Sequence, residues 1–243
     1  MNEIIHKMEQ HVSVRKYKEE SIPKDVVEKM VHAAQHAASS HFVQAYSVIY
    51  VTDQELKAKL AELSGNRHVK DCAAFLFVVQ IKNDLKLHVK NIVQRKSMRE
   101  KKTLSLRRKM LHFCANLALA AESLGYGICY IGGIRNNPRE VSELLHLPDK
   151  VYPVFGMTVG VPDEEHGVKP RLPVAAVLHE NGYDEQKYDE LLNEYDETMN
   201  AYYKERPSNK KNVTWTESMS SFMSKEKRMH MKEFLSEKGL NKK

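Results

Sequence analysis

Residues Ala73 to Ile81 form an apolar run, broken only by Gln80, typical of a buried strand, set in a chain that otherwise reads mostly as helix. Such a run requires a covered sheet, and further strands read at Tyr46 to Val51, Cys129 to Ile131 and Val154 to Val161. Helical sequence surrounds them. Glu3 to Gln10 is amphipathic, Ser21-Ile22-Pro23 opens a helix toward Ala37 with a hydroxyl cap and an early proline, and Asp53 caps a helix that ends at Gly65. The longest helix is predicted from about Thr103 to Leu124. Its apolar positions Leu104, Leu111, Cys114, Leu117, Ala118 and Ala121 keep a helical period, and Gly125 stands where it should terminate. Asn137-Pro138 starts another helix. After Tyr183 the character changes: Lys187 to Tyr203 is a polar helical segment, Glu205 to Val213 a loop, and Thr216 to about Lys238 helix again before Gly239. The reading is α+β, a single domain over 1–243, with a core at 1–183 and a C-terminal helical extension at 184–243.

The 243 residues, 42% of them hydrophobic, suffice for a sizeable core. Cys72, Cys114 and Cys129 lack metal-ligand spacing, sit in apolar contexts and suggest a reducing compartment. The first residues show no cleavable apolar core, and no run approaches the roughly 20 apolar residues of a spanning helix. These features predict a cytoplasmic protein with no metal and no membrane association. A net charge of +6 invites a nucleic-acid reading, but the basic residues are spread along helical sequence and alternate with acids toward the C-terminus, as on solvated faces. No nucleic-acid partner is expected.

Three segments carry the chemistry. His11-Val12-Ser13-Val14-Arg15, Tyr130-Ile131-Gly132-Gly133 and Lys169-Pro170-Arg171-Leu172-Pro173 place basic groups, a hydroxyl and bare backbone at the ends of predicted elements. Arginine offers a fork of donors matched to phosphate, lysine a compact charge, and serine a short hydroxyl for phosphate or sugar alcohol. A glycine pair lets backbone approach a flat ring closely. Taken singly, each segment also reads as a helix cap, a rigid turn or a strand end. No Gly-x-Ser-x-Gly elbow, P-loop or His-Glu-x-x-His helix is present, so no hydrolytic, phosphoryl-transfer or zinc chemistry has a starting point.

The order of these motifs resembles the nitroreductase superfamily, within it the oxygen-insensitive, NADPH-dependent nitroreductases and flavin reductases that bind FMN. HVSVR stands for the family's H-R-S-[IV]-R; Ser39-Ser40-His41-Phe42-Val43-Gln44, the Ala120 to Gly125 run, YIGGIRNNP from Tyr130, Pro153 to Gly156, KPRLP and a basic loop before Thr214-Trp215 follow in the family's order. The resemblance implies a small, mostly antiparallel central sheet flanked by helices, and a C-terminal helical arm wrapped around a partner subunit. It also implies a homodimer with FMN sites at the subunit interface.

By the same resemblance His11, Ser13, Arg15, Lys169 and Arg171 hold the FMN phosphate and ribityl chain and place positive charge near the ring. Ser39, Ser40, Phe42 and Gln44 come from the other subunit, Asn66 with Arg67 beside it lies near the pyrimidine edge, and Tyr130, Ile131, Gly132 and Gly133 pack against the ring. Arg206, Lys210 and Lys211 recognise the 2′-phosphate of NADPH. No side chain acts as a nucleophile or base: the flavin takes a hydride and gives two electrons to nitroaromatics, quinones or free flavin in ping-pong fashion. A low-turnover flavin-binding redox sensor or carrier is the alternative.

Three positions depart from the family's pattern. Val12 replaces an arginine and predicts weaker FMN binding. His41 replaces a small residue beside the flavin segment. The stretch Lys101 to Lys109 is basic where relatives are apolar with acids, so either the helix starts later, the charges pair with acids, or the region faces solvent.

Overall fold

The structure, a computed structural model, describes residues 2–42, 44–81, 100–207 and 209–240. They divide into two compact units, Met1–His166 with Arg228–Lys243, and Gly167–Lys227. The first contains the sheet. Its four strands, β1 (Tyr46–Val51), β2 (Ala74–Ile81), β3 (Gly127–Ile131) and β4 (Val151–Gly160), lie in the order β1-β2-β4-β3 with every pairing antiparallel. The register of β2 on β4 shifts between Val78 and Val79.

The apolar run makes β2 the floor of two cores. Phe75, Phe77 and Val79 face one way, where they meet α3 (Gln54–Ser64), α4 (His68–Asp71) and α6 (Pro138–Leu144) through Leu60, Ala61, Val69 and Val141. Ala74, Leu76 and Val78 face the other way, against Val27, Met30 and Ala34 of α2 (Lys24–Gln35) and the long helix α5 (Glu100–Ser123). A strand covered on both faces needs no polar alternation, which is why its sequence shows none.

Local signals formed as read at α3 and at Gly125 but not at Ser21. The Asp53 side chain accepts the Leu56 amide at 2.7 Å, and α3 ends on Gly65 in the left-handed region at φ 67°. Gly125, at φ 85°, likewise ends α5. The hydroxyl cap expected at Ser21 is absent: Pro23 is the N-cap of α2 and no side chain caps that end. Met110, Phe113, Cys114, Leu117, Ala118 and Ala121 are the buried stripe of α5, whereas Leu111, expected in it, is exposed. The backbone of α5 is helical from Glu100, so the helix does not start later than the basic stretch; the side chains of 101–109 lie outside the described residues.

The C-terminal sequence does not form one helix. It breaks into α9 (Trp215–Met223) and α10 (Met231–Glu237), with Arg228 between them in the left-handed region at φ 58°. Segment 228–240 belongs to the first unit. Arg139 makes a two-pronged pair with Glu237 at 2.8 and 2.6 Å, Arg228 Nε donates to Asn136 Oδ1 at 3.0 Å, and Phe234, Leu235 and Leu240 are buried with Tyr152. α1 (Glu3–Glu9) buries none of its side chains. The second unit comprises α7 (Val174–Val177), α8 (Tyr188–Glu205) and α9, whose Thr214 and Glu217 form a capping box. Tyr195 and Met199 are buried on α8, and the Trp215 ring meets Tyr195 edge-on at 5.7 Å. No described helix is long and apolar enough to cross a membrane.

Candidate functional site

In the first unit the N-terminal segment runs beside the ends of β3 and β4. Val14 N donates to Ile128 O at 2.9 Å, Lys18 N to Val161 O at 2.9 Å, and Asp163 N to Lys16 O at 3.0 Å. Buried Tyr17 locks the segment from below, donating to Val14 O at 2.7 Å with Thr158 Oγ1 also 2.7 Å away. Because Val14 and Tyr17 turn inward, Arg15 and Lys16 turn outward. The Arg15 guanidinium spends one hydrogen bond on its own segment, to Ser13 O at 3.2 Å. His11 is held differently. Its Nδ1 lies 2.5 Å from Glu122 Oε1, a contact that fixes the ring. Val12, which departs from the family's arginine, packs against the core below the segment.

Ser13 pairs with Ile128 of β3, whose end carries the next group of expected residues. Ile131 is buried, while Tyr130 remains 40% exposed with its hydroxyl on Cys114 O at 2.7 Å. Burial of that hydroxyl pushes its pKa up, with weaker contributions from Cys114 and Glu122. Gly132 and Gly133 open a 3-10 turn, Gly132–Asn136. A Cβ on Gly133 would strike the Ser64 carbonyl and Asn66 Nδ2, so the turn lies directly on the end of α3. Asn66 Nδ2 donates to Ser64 O at 2.6 Å and Asn137 Nδ2 to Leu63 O at 2.7 Å, closing that contact. Among the described residues a Cβ on Gly132 would meet only Arg135 Nη2, at 3.1 Å. Tyr130 to Gly133 and Asn66 therefore form one rim at the end of β3, and Ser13 lies along the same strand at Ile128, near its start. Burial pushes the Cys129 thiol of β3 up in pKa, and the Arg15 charge acts on it in the opposite sense.

Segment 39–44 is separate and conspicuously bent. His41, Phe42 and Gln44 have φ of 56°, 52° and 47°, a conformation that side chains rarely adopt outside functional loops. Ser39 stabilises it, its hydroxyl accepting the Gln44 amide at 3.1 Å and its carbonyl the Phe42 amide at 2.7 Å. The Phe42 side chain is 79% exposed. Ser40 contributes backbone alone to this description, and Val43 lies outside the described residues.

Lys169, Arg171, Arg206, Lys210 and Lys211 lie in the second unit. Tyr195 OH donates to Pro170 O at 3.0 Å and fastens the Lys169–Arg171 bend to α8. Lys169 Nζ stands 5.2 Å and the Arg206 guanidinium 5.8 Å from the centre of the Tyr203 ring, and the Lys211 amide donates to Tyr203 O at 3.1 Å. Two cations assigned to different phosphates thus share one aromatic support. Lys210 is exposed.

Sequence reading passed over Glu164 and His68, and gave Tyr203 no part in supporting a cation. Glu164 accepts the amides of Arg15 and Lys16 and the ring of His166, and only its place just before KPRLP could have drawn notice. Burial alone would push its pKa up; the Arg15 amide, His166 and the Lys16 amide together hold the carboxyl below its ordinary value. His68 Nε2 is buried without a partner among the described residues, and burial, aided by Arg15, pushes its pKa down. The thiols do not supply a nucleophile. Burial pushes Cys72 and Cys114 up to about 12, which keeps them protonated.

The donor set His11, Ser13 and Arg15 with a bare-backbone turn fits a phosphorylated flat cofactor. Comparison with known proteins agrees. Residues 8–161 match the family model described as the nitroreductase family, and 169–243 its C-terminal domain. A Cr(VI) reductase of Pseudomonas sp. (strain G-1) is 50% identical over 236 residues, covering 95% of this chain and 96% of that protein. An FMN reductase (NADPH) of Bacillus subtilis (strain 168) is 37% identical over the full length of both. Among solved structures, NfrA1 of B. megaterium superposes with a TM-score of 0.93 at 38% identity, covering 99% of this chain and all of that one.

Proposed function

We propose that this chain, which belongs to the nitroreductase family, is an FMN-dependent NADPH oxidoreductase that reduces nitroaromatics, quinones or free flavin. The observation that supports the reading is that β3 carries the Ser13 segment at Ile128, near its start, and the bare-backbone turn at Gly132 directly after its end, with Arg15 facing outward. His11, Ser13 and Arg15 would hold the phosphate and ribityl chain, a role that the family's pattern also gives to Lys169 and Arg171 of the second unit. Asn66 would meet the pyrimidine edge, and Tyr130, Ile131, Gly132 and Gly133 would carry the ring. When bound, FMN supplies hydride acceptance and two-electron donation, so this chain needs no nucleophile or base of its own. Arg15 would contribute positive charge, and the turn at Gly132 would orient the ring. The relative named as a Cr(VI) reductase extends the acceptors worth testing to chromate.

In this reading the chain works as a single functional domain and a cytoplasmic homodimer. Segment 39–44, with Ser39, Ser40, Phe42 and Gln44, reaches a partner's flavin. The outward Phe42 supports this, as do the exposed Ile4, Ile5 and Met8 of α1, Leu111 and Leu124 near α5, and Phe222 and Met223 of α9, a large apolar area for an isolated chain. The test is the visible spectrum of purified protein before and after anaerobic NADPH and then a quinone. An oxidised-flavin spectrum that bleaches and returns is expected; a protein that takes up no FMN would refute the reading, and a flavin indifferent to NADPH would leave only binding.

Arg206, Lys210 and Lys211 would recognise the 2′-phosphate of NADPH. Arg206→Ala should raise the KM for NADPH about tenfold, the scale of losing charge-assisted hydrogen bonds, and that for NADH less than about twofold. Equal changes in steady-state kinetics with the two dinucleotides would remove the assignment.

A further inference from the structure

Segment 13–18 and the chain leaving β4 run as a short antiparallel ribbon, through Lys18 N to Val161 O, the Tyr17–Pro162 bridge and Asp163 N to Lys16 O. Beyond Asp163 the ribbon has no carbonyl for the next two amides. Glu164 takes both instead: its Oε1 accepts Arg15 N at 2.6 Å and Lys16 N at 3.0 Å. The same oxygen lies 2.9 Å from His166 Nε2. Two successive amides aimed at one point make a small anion-binding concavity, and here a side chain of the same fold fills it.

The consequence for Arg15 is a division of labour. Its main chain is fixed by Glu164, while its guanidinium keeps a single bond within its own segment, to Ser13 O. We propose that Glu164 is a positioning residue for cofactor binding: by clamping the amides of Arg15 and Lys16 it fixes the Ser13–Arg15 segment in its phosphate-ready conformation before FMN arrives. The inference rests on the reading of Ser13 and Arg15 as phosphate ligands. Ordering a binding segment in advance removes that entropy cost from the binding step, which raises affinity without adding a contact to the ligand. The carboxylate itself would repel a nearby phosphate, so its benefit comes from the acceptor oxygen and not from its charge.

That sign gives the experiment. Full-length protein stripped of flavin is titrated with FMN and, in parallel, with riboflavin, which has the same ring and no phosphate. Glu164→Ala should raise the Kd for FMN about tenfold, the scale of hydrogen bonds to a charged group, and the Kd for riboflavin less than about twofold. Glu164→Gln keeps an acceptor oxygen without the charge and should bind FMN at least as tightly as the unmodified protein. Glu164→Asp, one methylene too short to bring its oxygen to the two amides, should weaken FMN selectively and serves if the alanine variant does not fold. Unchanged FMN affinity in the alanine and aspartate variants would overturn the proposal, as would equal weakening of both flavins, or a glutamine variant as weak as the alanine one. An unmodified protein that binds both flavins alike would instead sink the phosphate reading on which the proposal rests.

Discussion

Gly133→Ala is expected to loosen the flavin turn and lower FMN affinity more than tenfold, with a loss of about 1–3 kcal/mol in stability, the usual cost of forcing a methyl into filled space. Backbone conformation is not the reason, because Gly133 is not in the left-handed region. The obstacle is a carbonyl: the new methyl would lie far inside contact distance of Ser64 O and of Asn66 Nδ2. Neither can step aside cheaply. Ser64 closes α3 just before left-handed Gly65, and Asn66 is already bonded to Ser64 O at 2.6 Å. The turn must therefore lift from the helix end, carrying Gly132 and the end of β3 with it. Gly132→Ala is the control, since among the described residues its methyl meets only the tip of the Arg135 side chain at 3.1 Å and should cost stability less than about 1 kcal/mol. Thermal denaturation with and without FMN, together with FMN titration, separates the two variants. Equal behaviour would show that the turn does not depend on its packing against α3.

Phe113→Ala should have the largest effect on stability, about 3–5 kcal/mol. Phe113 is fully buried in the middle of the α5 stripe, its ring 4.4 Å from that of Tyr46 on β1, among side chains from α2, β2 and β4. Every neighbour is anchored in an element of its own, so the cavity has little means of collapse. A domain holds only about 5–15 kcal/mol in reserve, and the expected fall in Tm is roughly 10 °C or more, readable by calorimetry. A shift of less than about 3 °C would mean that the helix layer repacks freely. Catalysis by the folded fraction should change little, because Phe113 lies among the packing residues and not on the rim.

What the sequence made legible was what neighbours in the chain decide among themselves. Asp53 and Gly65 bound α3 as read because a cap and a left-handed stop each need only a few residues of context. The apolar run became β2 because no solvent-facing alternation competes with it. Apart from the Ser21 cap, which Pro23 displaces, the misses are tertiary. Leu111 keeps the helical period of the α5 stripe yet faces outward, since the stripe is set by where the sheet lies and not by spacing alone. The C-terminal helix breaks where Arg228 turns to reach Asn136, some 90 positions earlier, a partner that local propensity does not reveal. In the site, the basic and glycine residues were visible through their order along the chain. Glu164, His68 and the support that Tyr203 gives were not, because their importance lies in which backbone, cation or cavity they face.

The return of segment 228–240 to the first unit has a consequence for how the chain comes into being. Synthesis proceeds from the N-terminus, and domains generally begin to fold as they emerge. When residue 166 has left the ribosome, all four strands exist, but the cover of Tyr152 does not: Phe234, Leu235 and Leu240 are still to be made, as is the Lys238 carbonyl that accepts the Lys150 amide. The nascent sheet must wait through the whole of the second unit with that patch bare. A premature stop anywhere before Phe234 would leave it bare for good, so messages broken near their 3′ end would yield sticky, chaperone-bound chains and not slightly shortened enzymes.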